Sequence, residues 1–227
     1  MRWLRDATGR FPRRPHYDAS ELEDVSADLL SELRQLRHTG CTVVSTDDLS
    51  VLIEHHAADL DLFADLPAEF DGVTDFSKDA RPRVRVAARL SSHSRFEHRL
   101  RTTLAHELTH VVLHNFIWWL SPTPTPDPGV AFDPERLSPR CAMRARAVDW
   151  MEWQANYCAG ALLVPASEVC APPEPVWERS ITGRALIRAV QERFEVSAQV
   201  ATIRLRQLGR LSERPLYVAR SPVPRRW

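Results

Sequence analysis

The sequence predicts a mostly helical α+β fold with a small antiparallel β-sheet. Apolar residues recur at helical spacing over residues 20–36 and again after residue 100, whereas short alternating β-prone runs fill residues 58–88. The 227 residues can bury a full core, and 44% of them are apolar. Lys plus Arg and Asp plus Glu number 30 each, so bulk charge favours neither a nucleic acid nor an anionic membrane as a partner.

The N-terminus and the cysteines predict the compartment. Residues 1–6 hold no apolar run of the length that a signal peptide needs, and no later run is long enough to span a membrane. The cysteines are widely spaced and form no CxxC pair, which argues against a disulfide framework and a thiolate zinc site. We therefore expect a cytoplasmic protein with reduced thiols.

The first predicted helix begins at Ser20. Ser20 and Glu23 have the spacing of a capping box, and Gly40 supplies a stop. Residues 1–19 show little periodicity and are expected to form a flexible N-terminal lead-in. The apolar face of the helix consists of Leu22, Val25, Leu29, Leu33 and Leu36.

A second helix is predicted after a short β-prone stretch at residues 41–44. Thr46, Asp47 and Asp48 form its first turn, where hydroxyl and carboxylate side chains favour a helix start. Its apolar stripe consists of Leu49, Leu52 and Ile53.

The small sheet is predicted between residues 58 and 88. Residues 83–86 alternate between arginine and valine, which is the pattern of a strand with one buried face. Turn-forming pairs at residues 71–72 and 78–79 divide the region into short strands. We expect these strands to pair antiparallel.

Two apolar helices are predicted in the second half, over residues 100–111 and from about 144 to 163. The proline-rich run 121–139 between them predicts a long loop, because proline disfavours regular helix and interior strand. A further proline cluster divides a main domain, residues 20–170, from a C-terminal helical extension packed on it, residues 171–227. Part of this extension has a helix-turn-helix pattern with arginines, but the neutral net charge favours packing over DNA binding.

The first of these two helices carries the run His106-Glu107-Leu108-Thr109-His110. Histidines four apart lie on one helical face, so both imidazoles can bind one metal ion, and the adjacent glutamate can reach a water molecule on that ion. The flanking residues are apolar, so a metal would offset the cost of burying these polar groups. The run therefore predicts two metal ligands, His106 and His110, and one catalytic residue, Glu107.

A catalytic zinc needs a third protein ligand, and Glu152 is the predicted one. Asn156 follows one helical turn later, where its amide could hold a ligand in place. His114 continues the series of His106 and His110, but eight residues of helix rise about 12 Å, so three such histidines cannot converge on an ion about 2.1 Å away. We expect His114 to be a packed imidazole or a cation at a helix C-terminus.

After Glu152 the chain reads Trp-Gln-Ala-Asn-Tyr-Cys-Ala-Gly-Ala-Leu-Leu-Val and ends this run at Pro165. Together with the HExxH run, this pattern resembles the ImmA/IrrE family of metallopeptidases, in which an ExxAN segment leads into a small-residue helix ending in LLxP. The similarity extends from near Val73 to Pro165. Thr109 stands where the family commonly has glycine, and the proline-rich interval is longer than usual. The resemblance implies that residues 20–170 form a zincin-like (gluzincin-type) metallopeptidase domain.

The expected activity is zinc-dependent endoproteolysis. His106, His110 and Glu152 would hold one Zn²⁺, or Mn²⁺ in its place, and Glu107 would act as general base on a water activated by the metal. Residues 83–86 are either a strand along which a peptide substrate binds or an ordinary strand with a basic face. The family implies a helix-turn-helix transcriptional repressor as the substrate. Two alternatives stay open, namely a non-catalytic regulatory protein that keeps the fold and a zinc hydrolase of small amides.

Overall fold

The computed structural model describes residues 1–7, 9–37, 43–120, 149–170 and 183–211. It confirms a mostly helical α+β architecture, but with two small sheets instead of the single one predicted. The elements in chain order are β1 (Arg2–Arg5), β2 (Arg13–His16), α1 (Ala19–Arg37), α2 (Thr46–His56), β3 (Asp59–Ala64), β4 (Gly72–Asp75), β5 (Arg83–Ala87), α3 (Ala88–Ser91), a 3₁₀ turn (Ser94–Phe96), α4 (Glu97–Leu120), α5 (Trp150–Leu163), α6 (Ala166–Cys170), α7 (Gly183–Phe194) and α8 (Ala198–Gln207). Within these ranges, no helix combines the length and the apolar character that crossing a bilayer requires.

The N-terminal segment corrects the expectation of a flexible lead-in at residues 1–19. β1 and β2 pair antiparallel as a hairpin. Its anchor is Phe11, which is buried in the connection between the strands, with ring centroids 5.0 Å from Trp118 and 6.4 Å from Trp150. Because the anchoring aromatic lies in the connection and the strands are short and basic, the sequence shows no periodicity there.

α1 forms as predicted but starts one residue earlier, with a different capping box. The Asp18 carboxylate accepts a hydrogen bond from the Glu21 backbone N–H at 3.0 Å, and Glu21 accepts one from the Asp18 backbone N–H at 3.0 Å. The predicted pairing of Ser20 with Glu23 is therefore wrong. The Ser20 hydroxyl instead donates to Asp18 Oδ1 at 2.8 Å, which holds the capping carboxylate in place.

α2 is confirmed, with Ser45 as its N-cap in a reciprocal capping box with Asp48. Its three predicted apolar positions are all fully buried. The predicted β-prone stretch before it lies partly outside the described residues, and its last two residues, Val43 and Val44, are not in a strand.

The second sheet is mixed rather than purely antiparallel. Its strand order is β3-β5-β4; β4 pairs antiparallel with β5 as expected, whereas β3 runs parallel to β5. β5 carries the fully buried Val84 and Val86, so its place is the centre, where a neighbouring strand protects each edge. Of the two interpretations of residues 83–86, the strand edge that binds a peptide is therefore wrong, and among the described strands β4 lies at the edge on that side.

The second half keeps the predicted order of helices. α5 begins at Trp150, because Asp149 is extended and its side chain caps the helix by accepting from the Met151 backbone N–H at 3.0 Å. Residues 144–148 of the predicted helix lie outside the described residues. The proline-rich run 121–139 and the proline cluster after α6 lie outside the described residues. The predicted boundary at residue 171 consequently stays a prediction.

α7 and α8 pack on the same core as α4. Phe194 and Leu205 are fully buried in one apolar cluster with Leu104 and Leu108. Arg204 on α8 is also fully buried, with its guanidinium making two 2.6 Å bonds to the Glu23 carboxylate of α1 and Nε donating to the Val164 carbonyl at 2.9 Å. Arg204 therefore connects α8 to α1 and to the end of α5, and it is not part of an exposed basic surface.

Replacing Arg204 with methionine should destabilise the fold by about 3 kcal/mol, the lower end of the cost of breaking a buried ion pair. The lower end applies because the Glu23 side chain is 26% exposed and can regain water. Urea unfolding followed by circular dichroism measures the change. Arg188→Met is the matched control, because the exposed pair of Arg188 with Glu192 should contribute little. Equal unfolding curves for the two variants would contradict this role of Arg204.

Candidate metal centre

The helix α4 places the HExxH residues in the middle of the molecule. Its 24 residues pack chiefly against α5 and α2, and its apolar positions Leu100, Leu104 and Leu108 are buried in the main core. This packing holds the polar face of the same helix at a defined distance from α5. Glu152, in the first turn of α5, meets that face.

The structure brings the three predicted metal ligands together. His106 Nε2 and His110 Nε2 lie 3.0 Å apart; His106 Nε2 lies 3.3 Å from Glu152 Oε2, and His110 Nε2 lies 3.3 Å from Glu152 Oε1. Within the described ranges, these residues form the one group of at least three histidine, cysteine or acidic side chains with convergent donor atoms. The convergence of residues more than 40 positions apart follows from the packing of α4 on α5.

The donors are close enough to share one ion. Two ligand atoms that each lie 2.0–2.1 Å from a tetrahedral metal are about 3.3 Å apart. Each histidine lies at that distance from one of the two Glu152 oxygens, and the three donor atoms lie within 4.8 Å of one another. Two histidines and a glutamate are also a donor set that catalytic zinc sites use, with the fourth position left for water or substrate.

The charges in this group are strongly coupled. Burial lowers the pKa of His106, but its hydrogen bond to Glu152 and the negative charge of that residue outweigh burial and raise the pKa to about 9. Burial raises the pKa of the Glu152 carboxyl, yet its contacts with His110 and His106 outweigh burial and hold it well below 4.5. An anionic carboxylate thus faces a position that attracts a cation, either a proton or a metal.

Glu107 lies beside the ligand group but belongs to a different contact. The residue is buried, and its Oε2 accepts a 2.7 Å hydrogen bond from Thr74 Oγ1 on β4. Gly72, at the start of β4, leaves the room that the Glu107 side chain occupies, because a Cβ there would lie 2.8 Å from Glu107 Oε1 and 2.7 Å from Thr103 Cγ2. The edge strand therefore fixes the orientation of the candidate general base.

Comparison with known proteins identifies no family. No protein-family model matches the chain, and no curated protein matches it. The activity has to be inferred from the side chains and their geometry.

His114 is a packed imidazole, which was the first of the two predicted roles. It is not a cation at a helix C-terminus, because α4 continues to Leu120. Its ring is fully buried; Nδ1 lies 2.9 Å from His110 Nδ1, and Nε2 lies 3.1 Å from Gln154 Oε1. Burial and the neighbouring His110 hold the pKa of His114 well below 6.5. His114 thus contacts a predicted ligand from the side opposite the metal position.

Asn156 lies beside His106 and one helical turn after Glu152. Its amide donates to the Glu152 backbone carbonyl at 2.7 Å, and its side chain is also a hydrogen-bond partner that raises the pKa of His106. The Tyr157 hydroxyl donates to Glu23, and Arg99 is paired with Asp71. These two side chains are engaged away from the metal position.

Sequence reasoning missed two residues of the site, Thr74 and Gln154. Thr74 lies within the region 58–88 that was predicted to form the sheet, but the packing of β4 on α4 is a long-range contact that leaves no local pattern. Gln154 stands inside the ExxAN segment and could have been noticed from its spacing, since it is two residues after Glu152 and therefore on another face of the helix.

Proposed function

We propose that this protein is a zinc-dependent metalloendopeptidase with a zincin-like domain of the ImmA/IrrE type. The observation that carries the proposal is the convergence of donor atoms from His106, His110 and Glu152, all within 4.8 Å of one another, at the helix that also carries the buried Glu107. The resemblance of the paired motifs supports the same assignment. Zinc is the favoured ion because of the donor set, with manganese as the alternative.

The proposed role of each residue follows from the position of its side chain. A bound zinc ion would supply Lewis-acid chemistry, polarising the scissile carbonyl and making a water molecule more acidic. Glu107 takes the proton of the attacking water and returns it to the leaving amine. Thr74 keeps the Glu107 carboxylate in one orientation through its 2.7 Å hydrogen bond. His106, His110 and Glu152 act only as ligands.

The edge strand β4 favours a polypeptide substrate. β4 pairs on one side with β5, and among the described strands nothing pairs with its other side. An extended peptide can add to such an edge by backbone hydrogen bonds, which here would place it next to Glu107. A helix-turn-helix transcriptional repressor as the partner, and a cytoplasmic location, rest on the family resemblance and the sequence composition alone.

The direct test is cleavage of a candidate repressor encoded beside the gene. Protein stripped of metal, the same protein with one equivalent of zinc, and a manganese-loaded sample are each incubated with the repressor, and the products are identified by mass spectrometry. We expect one discrete cut that requires metal. Hydrolysis of small amides without any cut in proteins would favour the small-amide hydrolase, and a cut that persists without metal would overturn the proposal.

Gly72→Ala should impair catalysis more than metal binding. The added methyl would lie under 3.0 Å from both Thr103 and Glu107, so the Glu107 side chain or β4 has to move. A displacement near 1 Å costs on the order of 100-fold in rate. The atoms nearest to the added methyl belong to Thr103 and Glu107 and not to the three ligands, so zinc affinity should change less. The cleavage rate and zinc affinity are measured together.

Gly160→Ala is the matched control for this change. A Cβ at Gly160 meets only ordinary contacts, at 3.7 Å from Gln207 and 3.9 Å from Arg204. It should leave the cleavage rate unchanged. Equal rates for Gly72→Ala and Gly160→Ala would show that β4 does not position the base.

A further inference from the structure

A buried chain of hydrogen bonds runs from the N-terminal hairpin to the metal position. The Pro15 carbonyl accepts from Gln154 Nε2 at 3.1 Å, and Gln154 Oε1 lies 3.1 Å from His114 Nε2. His114 Nδ1 in turn lies 2.9 Å from His110 Nδ1. Gln154 and His114 are both fully buried, and His110 is nearly so, so the chain is shielded from solvent.

The direction of the first two bonds in this chain follows from the Pro15 carbonyl, and the direction of the third follows from a neutral His114. A backbone carbonyl can only accept, so the group of Gln154 that faces Pro15 has to be the NH₂ group. The amide oxygen of Gln154 therefore faces His114, and because that oxygen can only accept, His114 carries its proton on Nε2. A neutral His114 then presents an unprotonated Nδ1 to His110.

The bond between His114 and His110 determines which ring nitrogen of His110 carries the proton. An unprotonated Nδ1 on His114 requires a proton on His110 Nδ1, because two ring nitrogens 2.9 Å apart need one hydrogen between them. A neutral His110 with its proton on Nδ1 has a free lone pair on Nε2, the atom that lies 3.3 Å from Glu152. Nε2 is thus presented in the form that binds a metal.

We propose that His114 and Gln154 are positioning residues that select the Nδ1-protonated tautomer of His110, with the Pro15 carbonyl as the reference acceptor. The inference rests on the proposed function only in taking His110 as a metal ligand. The bond from His110 also holds the ring in one orientation, as partners behind metal-binding histidines do. The hairpin of residues 1–16 is therefore part of the support of the metal centre.

The burial of His114 without a carboxylate partner favours its neutral form. Its two ring nitrogens contact His110 and Gln154, neither of which is an anion. A cationic His114 would donate from both nitrogens, and His110 would then have to be protonated on Nε2. The two alternatives predict opposite tautomers of His110, which makes them separable.

The test reads the tautomer directly in full-length protein. Nitrogen-15 spectra of the histidine rings are recorded for metal-free protein near neutral pH, and zinc affinity is measured by competition with a chromophoric chelator. We expect the wild type to show His110 protonated on Nδ1. Gln154→Met removes the hydrogen bonds to the Pro15 carbonyl and to His114. The other tautomer of His110 should then become populated, and zinc affinity should fall on the order of 10- to 100-fold.

Two further variants separate positioning from packing. His114→Asn can still accept from His110 through its amide oxygen and should retain most of the zinc affinity, whereas His114→Leu cannot and should lose it; this pair also decides the question where Gln154→Met fails to fold. Ser26→Ala is the control, because it removes another buried hydrogen bond to α5, at Cys158, without touching the chain. It should cost stability and leave the His110 tautomer unchanged.

The outcomes distinguish this inference from the proposed function. A wild-type His110 protonated on Nε2, or a Gln154→Met variant with unchanged tautomer and zinc affinity, would overturn the positioning role. A wild-type protein that shows the expected His110 tautomer but binds no metal would overturn the metallopeptidase proposal without contradicting the hydrogen-bond chain.

Discussion

Glu107→Gln should abolish cleavage of the repressor while leaving zinc affinity nearly unchanged. General base catalysis contributes about 10²- to 10⁴-fold, and we expect a loss near the middle of that range, about 10³-fold. Glutamine has almost the same shape, and its amide oxygen can still accept the hydrogen bond from Thr74, but it cannot take a proton from water. Glu107 lies outside the group of convergent donors, so the three ligands keep their positions.

The comparison of rate and binding decides between the rival functions. The cleavage rate is measured by mass spectrometry of the products, and repressor binding by calorimetry on the same samples. Glu54→Gln, on the exposed side of α2, is the control for loss of a carboxylate and should cut as fast as wild type. If wild type and Glu107→Gln bind the repressor equally and neither cuts it, the protein is a regulator that acts by binding.

The ligand group was predictable from the sequence because two of its members are local. His106 and His110 are four residues apart on a helix whose apolar flanks show that it is buried, so their convergence follows from helix geometry. Helix geometry alone does not place Glu152, because its distance from the two histidines depends on how α5 packs on α4. The paired motifs supplied this information, and the 3.3 Å contacts agree with it.

The supporting residues were not predictable in the same way. Thr74 contacts Glu107 only because β4 is the sheet edge next to α4, and strand order is a property of the whole chain. The mixed sheet was missed for the same reason, because β3 and β5 pair across the intervening β4 in sequence. Pro15 was assigned to a flexible segment, although its carbonyl ends the chain of bonds to His110.

Glu152→Gln should remove high-affinity metal binding and reverse the shift of the His106 pKa. The variant loses the single negative charge among the three ligands, and we expect zinc affinity to fall by more than the 10- to 100-fold that residues behind the ligands typically contribute. In metal-free wild type, Glu152 holds the His106 pKa at about 9. Without that charge, the effect of burial dominates, and the pKa should fall below 6.5.

The contact between His106 and Glu152 makes the unfolding free energy of the metal-free protein depend on pH. The pKa of folded His106 lies above its ordinary value of 6.5, so this residue stabilises the fold fully below pH 6.5, and the contribution is lost as the pH rises through about 9. The Glu152 pKa is lowered, so its contribution is present above pH 4.5 and lost in more acidic solution. The difference in unfolding free energy between wild type and Glu152→Gln should therefore be largest between pH 4.5 and 6.5.

Urea unfolding of metal-free protein across this pH range measures the difference, and histidine NMR titration measures the pKa. Asp149→Asn serves as the control, because it removes a carboxylate at the start of the same helix, keeps an N-cap residue, and leaves the ligand group intact. Zinc has to displace the His106 proton, so wild-type affinity should also rise with pH up to about 9. A His106 pKa that stays near 9 in Glu152→Gln would show that this carboxylate does not face the histidines, and the metal centre would lose its third ligand.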